Sequence, residues 1–365
     1  MRGQYNRGVS RTTQVLAALA LVGIPLVVIA RQPQSPAQQT LAAAVNNVTA
    51  VPGITVGQFT LGERPTGCTV ILAANGATGA VDVRGGAPGT VETDLLAPDN
   101  TVERVNAVFL SGGSAHGLAV RTGIDKFLYE KKVGYKTGAG LVPIIPGAIL
   151  YDLGIGNRPD LWPGADCGYK AAASAKSGAI EEGSVGAGAG ATVGKMMGGG
   201  RAMKGGIGSV ALVTADGLIV SAIVAVNAVG TVIDPRTAKP IAGVRTEDGR
   251  GLEDPFGLVR RGVLQSGPAR EATTIGVVVT NARLTKAQAQ KAIEMAHDGM
   301  ARAIVPSHTP SDGDTLFMMA TGDRTAESNV GTIGALAAEA VADAIVRAVK
   351  MARGLPGYPA ASDIR

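Results

Sequence analysis

Thr273 is the residue from which chemistry could begin. In Glu271-Ala272-Thr273-Thr274-Ile275-Gly276-Val277-Val278-Val279-Thr280-Asn281, a small residue precedes a Thr that opens an apolar, β-branched run with the pattern of a buried strand. A Thr hydroxyl is a weak nucleophile unless a base sits beside it. One way to supply that base is to cut the chain in front of the Thr, so that its own α-amine does the job. An α-amine titrates near about 7.7, so it can be neutral where a Lys is mostly charged. The window therefore points to a processing event as well as an activity, although a Thr at a strand start is more often an ordinary strand residue.

Other residues carry chemistry of their own. Lys195 is the only charge in the small-residue stretch from Ser184 to Gly200. A desolvated Lys has a lowered pKa and can orient or activate a hydroxyl; a Lys on a glycine-rich loop can equally just reach solvent. Asp312 and Asp314 flank Gly313. Spaced i, i+2 in a strand they would share a side, while a bend at Gly313 would leave two solvated turn carboxylates. Three tempting patterns fail. Gly194-Lys195 lacks the first Gly and the Ser/Thr of a phosphate loop, the alternating Gly run at 186–191 is unspecific in so glycine-rich a chain, and Gly112 to His116 lacks the second Gly of a nucleophile elbow.

The elements that must position these residues are short. Thr69 to Ala73 and Ala107 to Leu110 read as strands, and His116 to Glu130 has helical spacing. Ser209 to Val213 and Leu218 to Val226 read as two strands joined by Ala215-Asp216-Gly217, a strong hairpin signal. Asn227 then sits at the exit of the second strand, where it can cap the strand or face a pocket. Residues 234–270, rich in Pro, Gly and charge, read as a mobile surface stretch. Thr285 caps a helix running to about Ile304, and a second long helix runs from about Thr332 to Ala352. The result is a layered α/β protein with mainly antiparallel strands and helices packed outside.

Composition bounds the rest. The 365 residues suffice for a large core; hydrophobic residues make up 45% and charged residues 17%, which argues against disorder. Net charge is +5 without any Lys/Arg-rich run interleaved with aromatics, so nucleic-acid binding has little support. His116, His297 and His308 have no ligand spacing, there is no CxxC or HExxH, and neither a metal nor a cofactor is expected. Cys68 and Cys167 are too few for a disulfide framework. They can pair, but two buried free thiols is the simpler reading. Arg2, Arg7 and Arg11 precede an apolar run from Val15 to Ala30, followed by a polar linker to Gln39. That is the pattern of an export signal, removed or kept as a membrane anchor, with a cytoplasmic protein as the alternative.

Several stretches, in order, resemble the L-aminopeptidase/D-amidase-esterase (DmpA-like) family, which includes the nylon-oligomer (6-aminohexanoate-oligomer) hydrolases. They are Pro52 to Gly57, Arg84 to Thr90 with Glu92, Thr93 and Asp94, Leu110 to Leu118, Val142 to Ala148, Gly186 to Lys195, Val226 to Gly230, Thr273 to Asn281, and His308 to Thr315. The resemblance spans roughly residues 50 to 320 and its specificity lies in that order. It implies an N-terminal-nucleophile (Ntn)-hydrolase-like fold, a four-layer β-α-β-β-type sandwich akin to ornithine acetyltransferase. It also implies an amide hydrolase that cuts itself between Ala272 and Thr273, leaving a leader over 1–40, a larger chain over 41–272 and a smaller chain over 273–365. Thr273 would be the nucleophile and Asn227 an oxyanion donor. Lys195, Asp312, Asp314 and Tyr151 match further site residues, the acids and Lys195 those of the nylon-hydrolase branch. Ala272 departs from the usual Asn or Gly, a change expected at most to slow cleavage, and His116 stands where relatives often carry Tyr. The implied substrates are short peptides, amino-acid amides or esters; the alternatives are endo-cleavage of aliphatic oligoamides, or an inactive exported binding protein. Relatives imply a homotetramer.

Overall fold

Apolar runs broken by glycine-rich turns build one sheet that folds back on itself. The computed structural model describes residues 46–263, 272–327 and 329–364. The expected export segment lies outside them, and among the described residues no helix is long and apolar enough to cross a membrane.

Nine strands form the main sheet among the described residues: β1 (Ile54–Thr60), β2 (Gly67–Val83), β3 (Thr90–Val91), β4 (Arg104–Ser111), β5 (Gly147–Ile149), β6 (Gly206–Val213), β7 (Ile219–Asn227), β8 (Thr273–Thr280) and β9 (Thr315–Ala320). Their order is β6-β7-β8-β9-β2-β4-β5-β3, with β1 also paired to β2. The β8–β9 and β4–β5 pairs are parallel and the others antiparallel. The β6–β7 hairpin is the one expected from Asp216-Gly217, with Gly217 at φ 83°.

Side-chain alternation along the strands assigns the layers. One face of the β6–β9 half, through Val220, Val224, Val278 and Met318, packs on α4 (Lys286–Ala303) and α5 (Val330–Lys350). The opposite face, through Ile223, Ile275, Val277 and Phe317, meets Ile71, Val108 and Leu110 of the other half. The outer face of that half, through Val70 and Phe109, packs on α1 (Val120–Glu130) and α2 (Ala165–Ala173). The layers therefore run helix, sheet, sheet, helix. Helices do lie outside, but the β-α-β-β order is corrected, because strands buried on both faces leave the amphipathic helices only the outer positions. Thr285 closes a capping box with Gln288 at the start of α4, as expected. The first turns of the helix expected from His116 are wound as a tighter 3-10 segment, Ser114–Ala119, ahead of α1.

Two expectations are overturned. Cys68 and Cys167 are joined in a disulfide between β2 and α2, their Cα atoms 6.3 Å apart, and are not free thiols. The sheet brings together two thiols 99 residues apart. The described part of 234–270 is not a loose stretch either. It holds a strand at Pro240–Ala242 and α3 (Pro255–Arg260), capped by Asp254. Val244 and Leu258 are buried with Met196, Val229 and Ala272, which ties the segment down. Residues 264–271 lie outside the described residues.

Candidate active site

Thr273 begins β8 with a neighbour on each side. On the antiparallel side it pairs in register with Asn227, the last residue of β7. On the parallel side Ala272 bridges to Asp312, and Ile275 pairs with Thr315, which sets Gly313 beside Thr273. A Cβ on Gly313 would lie 2.8 Å from Thr273 Oγ1 and from the Ala87 carbonyl oxygen, so only glycine fits between them. Thr273 is 4% exposed. Its Oγ1 donates to the Ala272 carbonyl oxygen at 2.5 Å, and that oxygen also accepts the Gly313 N–H at 2.9 Å. The carbonyl in front of Thr273 is thus buried and polarised by two donors.

Asn227 is fully buried and organises the antiparallel side. Its Oδ1 accepts from Thr192 N at 3.0 Å and from Lys195 Nζ at 2.7 Å; its Nδ2 donates to the Tyr151 carbonyl oxygen at 2.8 Å. Lys195 Nζ also donates to the Asn227 backbone oxygen at 3.0 Å, so this Lys turns inward and is half-buried. The glycine-rich loop is pinned by Gly194 N to Gly230 O at 2.9 Å and Lys195 N to Val229 O at 2.8 Å. Tyr151 meets Asn227 through its backbone, while with Thr192 and Lys195 it lines a pocket of about 130 Å³.

Asp312 and Asp314 are each 1% exposed, which removes the solvated-turn reading. They diverge. Asp312 accepts from Thr309 N at 3.0 Å, Thr309 Oγ1 at 2.6 Å and Val229 N at 3.4 Å. Asp314 accepts from Thr274 N at 2.8 Å, His308 N at 2.9 Å and His308 Nδ1 at 2.8 Å. Burial first, and the neighbouring Asp314 second, push the Asp312 carboxyl up to about 6. The backbone of 312–314 is clamped by the Arg84 to Ala87 turn: Arg84 N and Gly85 N donate to the Asp314 carbonyl and Ala87 N to that of Asp312, while Gly86 N donates to that of Thr309.

The structure brings all six candidate residues into one neighbourhood and adds others that sequence reasoning passed over. His308 anchors Asp314 and packs edge-on against buried His297, ring centroids 4.9 Å apart. Burial drives the His297 imidazole down to about 4. Lys204 is buried and donates to the carbonyls of Gly188, Ala191 and Gly205, stapling the glycine-rich loop. Burial, aided by Lys195, lowers it to about 7. Buried Arg64 pairs with Asp152, which also accepts from Thr66 Oγ1 and Gly113 N, fixing the residue that follows Tyr151. His308 lies inside a stretch that sequence reading had already marked, whereas Lys204 follows Arg201 by three residues and nothing in the sequence sets the two apart. His116 is exposed and stacks on Trp162 with ring centroids 4.1 Å apart.

Comparison with known proteins fits this geometry. The model of peptidase family S58 matches residues 46–361. An uncharacterized aminopeptidase of Mycobacterium leprae is 38% identical over 347 residues, covering 87% of this chain and 94% of that protein. A 6-aminohexanoate-oligomer endohydrolase of Kocuria sp. is 30% identical, covering 82% of this chain and 84% of that one. In fold, the chain is similar to the L-aminopeptidase D-Ala-esterase/amidase of Ochrobactrum anthropi, described as a variant of the Ntn-hydrolase fold. The TM-score is 0.63 at 19% identity, with 86% and 89% of the chains covered. A Burkholderia sp. beta-aminopeptidase superposes with a TM-score of 0.62 at 23% identity, over 84% and 87% of the chains. On the family match and these relatives together, the chain belongs to peptidase family S58, a hydrolase of amide bonds.

Proposed function

We propose that the protein is a self-processed amide hydrolase in which Thr273 is first the agent of its own release and then the catalytic nucleophile. The observation that carries this reading is the Ala272 carbonyl, buried and held by the Gly313 N–H while Thr273 Oγ1 lies against it. In maturation Oγ attacks the Ala272 carbonyl carbon, and the tetrahedral oxygen keeps the Gly313 N–H. The Ala272–Thr273 C–N bond then breaks, and the hydroxyl proton ends on the departing nitrogen. Water hydrolyses the resulting ester, leaving a carboxylate on the 41–272 chain and a free α-amine on the 273–365 chain.

In the mature enzyme that amine takes the Oγ proton as Oγ attacks the substrate carbonyl. The acyl-enzyme forms, the amine product leaves, and water completes the cycle. Asn227 Nδ2 donates to the tetrahedral oxygen, a contribution of roughly 3 kcal/mol to barrier lowering. Lys195 orients Asn227. Asp314 holds the start of β8 through Thr274 N, and Asp312 holds the 312–314 turn beside the nucleophile. Substrates are the N-terminal residues of short peptides, amino-acid amides and esters. Endo-cleavage of aliphatic oligoamides is the second reading, favoured by the occurrence of Lys195 with two buried acids and by the name of the Kocuria relative. The disulfide supports export, since such bonds persist in oxidising compartments.

Intact mass of the purified protein beside Thr273→Ala is the test. Two fragments in the first, the smaller beginning at Thr273, with one intact chain in the variant, are expected. One uncut chain in both, without hydrolysis of an amino-acid p-nitroanilide or a 6-aminohexanoate oligomer, would leave an inactive binding protein.

A further inference from the structure

His308 stands in the left-handed region of backbone space, with φ 57°, beside the two buried acids. A non-glycine residue is kept there by its surroundings, and such residues gather at functional sites. What keeps it is Asp314. The His308 backbone N at 2.9 Å and ring Nδ1 at 2.8 Å both donate to one oxygen, Asp314 Oδ2. A carboxylate only accepts, so Nδ1 carries the hydrogen. The other ring nitrogen, Nε2, is buried without a hydrogen-bond partner among the described residues, and so is Nδ1 of His297, whose ring lies edge-on to it. His297 is fully buried and turns its Nε2 to the Asp82 carbonyl oxygen at 3.0 Å. It therefore backs the His308 ring without competing for Asp314.

With Oδ2 taken by His308, Asp314 Oδ1 accepts Thr274 N at 2.8 Å. That N–H belongs to the planar peptide joining Thr273 to Thr274, so its direction sets ψ of Thr273 and the placing of Oγ relative to the strand. In the uncut chain Thr273 is also tied from upstream, where Ala272 N donates to Ser311 O at 3.4 Å and Gly313 N to Ala272 O at 2.9 Å. A break at 272/273 severs the covalent link to those ties. The nearest tie on the parallel side is then the Asp314 carboxylate, and His308 grips that carboxylate at two points.

We propose that His308 is a positioning residue: through Asp314 it fixes the Thr273–Thr274 peptide, and so the nucleophile, in the processed enzyme. This rests on the reading of Thr273 as nucleophile. It carries an asymmetry, since turnover depends on His308 more than self-cleavage does.

The test compares wild type with His308→Gly and His308→Asn. Glycine and asparagine both accept a positive φ, but only asparagine offers an N–H near the place of Nδ1. Intact mass follows cleavage, thermal unfolding follows folding, and hydrolysis of an amino-acid p-nitroanilide or a 6-aminohexanoate oligomer gives kcat and KM separately. In His308→Gly, kcat is expected to fall on the order of tenfold to a hundredfold with KM within about twofold, while self-cleavage still runs to completion. Added imidazole, which matches the space the ring leaves, restores part of the lost kcat, and His308→Asn keeps most of it. A kcat in His308→Gly within about twofold of wild type, or an equal loss in both variants that imidazole does not relieve, overturns the positioning role. If His308→Gly does not fold, His308→Asn is set beside His308→Asp, which keeps the turn but turns an acceptor toward Asp314; equal kcat in those two overturns the role. A wild-type chain that stays uncut or hydrolyses nothing overturns the nucleophile reading and this proposal together, whereas a cut, active wild type with unaffected variants overturns the proposal alone.

Discussion

Replacing Asn227 by Ala and by Asp separates its support of the fold from its work on the substrate. Alanine removes an acceptor shared by Thr192 N and Lys195 Nζ and a donor to Tyr151 O, all at a fully buried position. Lys195 keeps the Asn227 backbone oxygen, so the main losses are a buried N–H left unpaired and one charge-assisted bond. At about 1–3 kcal/mol for the first and about 1.5–3 for the second, the cost is roughly 2.5–6 kcal/mol. That is a large share of a typical net stability of about 5–15 kcal/mol, and near 2–4 °C per kcal/mol for a chain this size it lowers Tm by about 10 °C. Aspartate keeps the acceptor shared by Thr192 N and Lys195 Nζ but sets a second oxygen against the Tyr151 carbonyl, so Asn227→Asp recovers only part of that Tm. If Nδ2 stabilises the tetrahedral oxygen, however, both variants lose about 100- to 1000-fold in kcat. The assay pairs thermal unfolding with p-nitroanilide hydrolysis on material whose cleavage state is set by intact mass. An Asp variant that hydrolyses at close to the wild-type rate refutes the oxyanion role and leaves Asn227 as a strand-end clamp.

Three further outcomes are expected. Gly313→Ala puts a methyl 2.8 Å from Thr273 Oγ1, so the chain should remain uncut by mass spectrometry at times when the wild type is fully cleaved. Lys204→Met removes the ammonium that joins two carbonyls of the glycine-rich loop to that of Gly205 and should lower Tm by about 5–10 °C, with slower hydrolysis because Thr192 and Lys195 ride on that loop. His297 is depressed by burial to about 4, so below about 6.5 the unfolded chain takes up a proton that the folded chain refuses. Its contribution to stability is full above 6.5 and is lost as pH falls through 4. Denaturant titrations of His297→Asn should show a shallower decline over that window than the wild type.

What could be read from the sequence was local. The strand from Thr273, the Asp216-Gly217 hairpin, the capped helix after Thr285 and the position of Asn227 at a strand end are all written in spacings of a few residues. The pairing of Asn227 with Thr273, and of Ala272 with Asp312, is a matter of sheet register between distant segments; the family resemblance put these residues in one site but did not anticipate the pairing. Tyr151 was marked by that resemblance, but it meets Asn227 through a carbonyl, which no side-chain pattern encodes. Lys204 escaped because a buried Lys and a surface one look the same in a sequence, and His308 because nothing local shows that its ring meets Asp314. Cys68 and Cys167 were indistinguishable from two free thiols until α2 lay on β2. The segment 234–263 read as loose because its prolines and charges outweighed Val244 and Leu258, the two side chains that hold it down.

The strand order has a consequence for what a break at 272/273 can release. β8 and β9 belong to the piece downstream of the break, yet they lie between β7 and β2, both from the piece upstream. Each edge of the downstream pair is therefore zipped to the other fragment, by β7–β8 on one side and β9–β2 on the other. The disulfide lies wholly upstream and contributes nothing to holding the fragments together. Two polypeptides would part only by tearing the middle out of the sheet. They should run as two bands on a denaturing gel with or without reductant, migrate as one particle under native conditions, and lose each other only on unfolding.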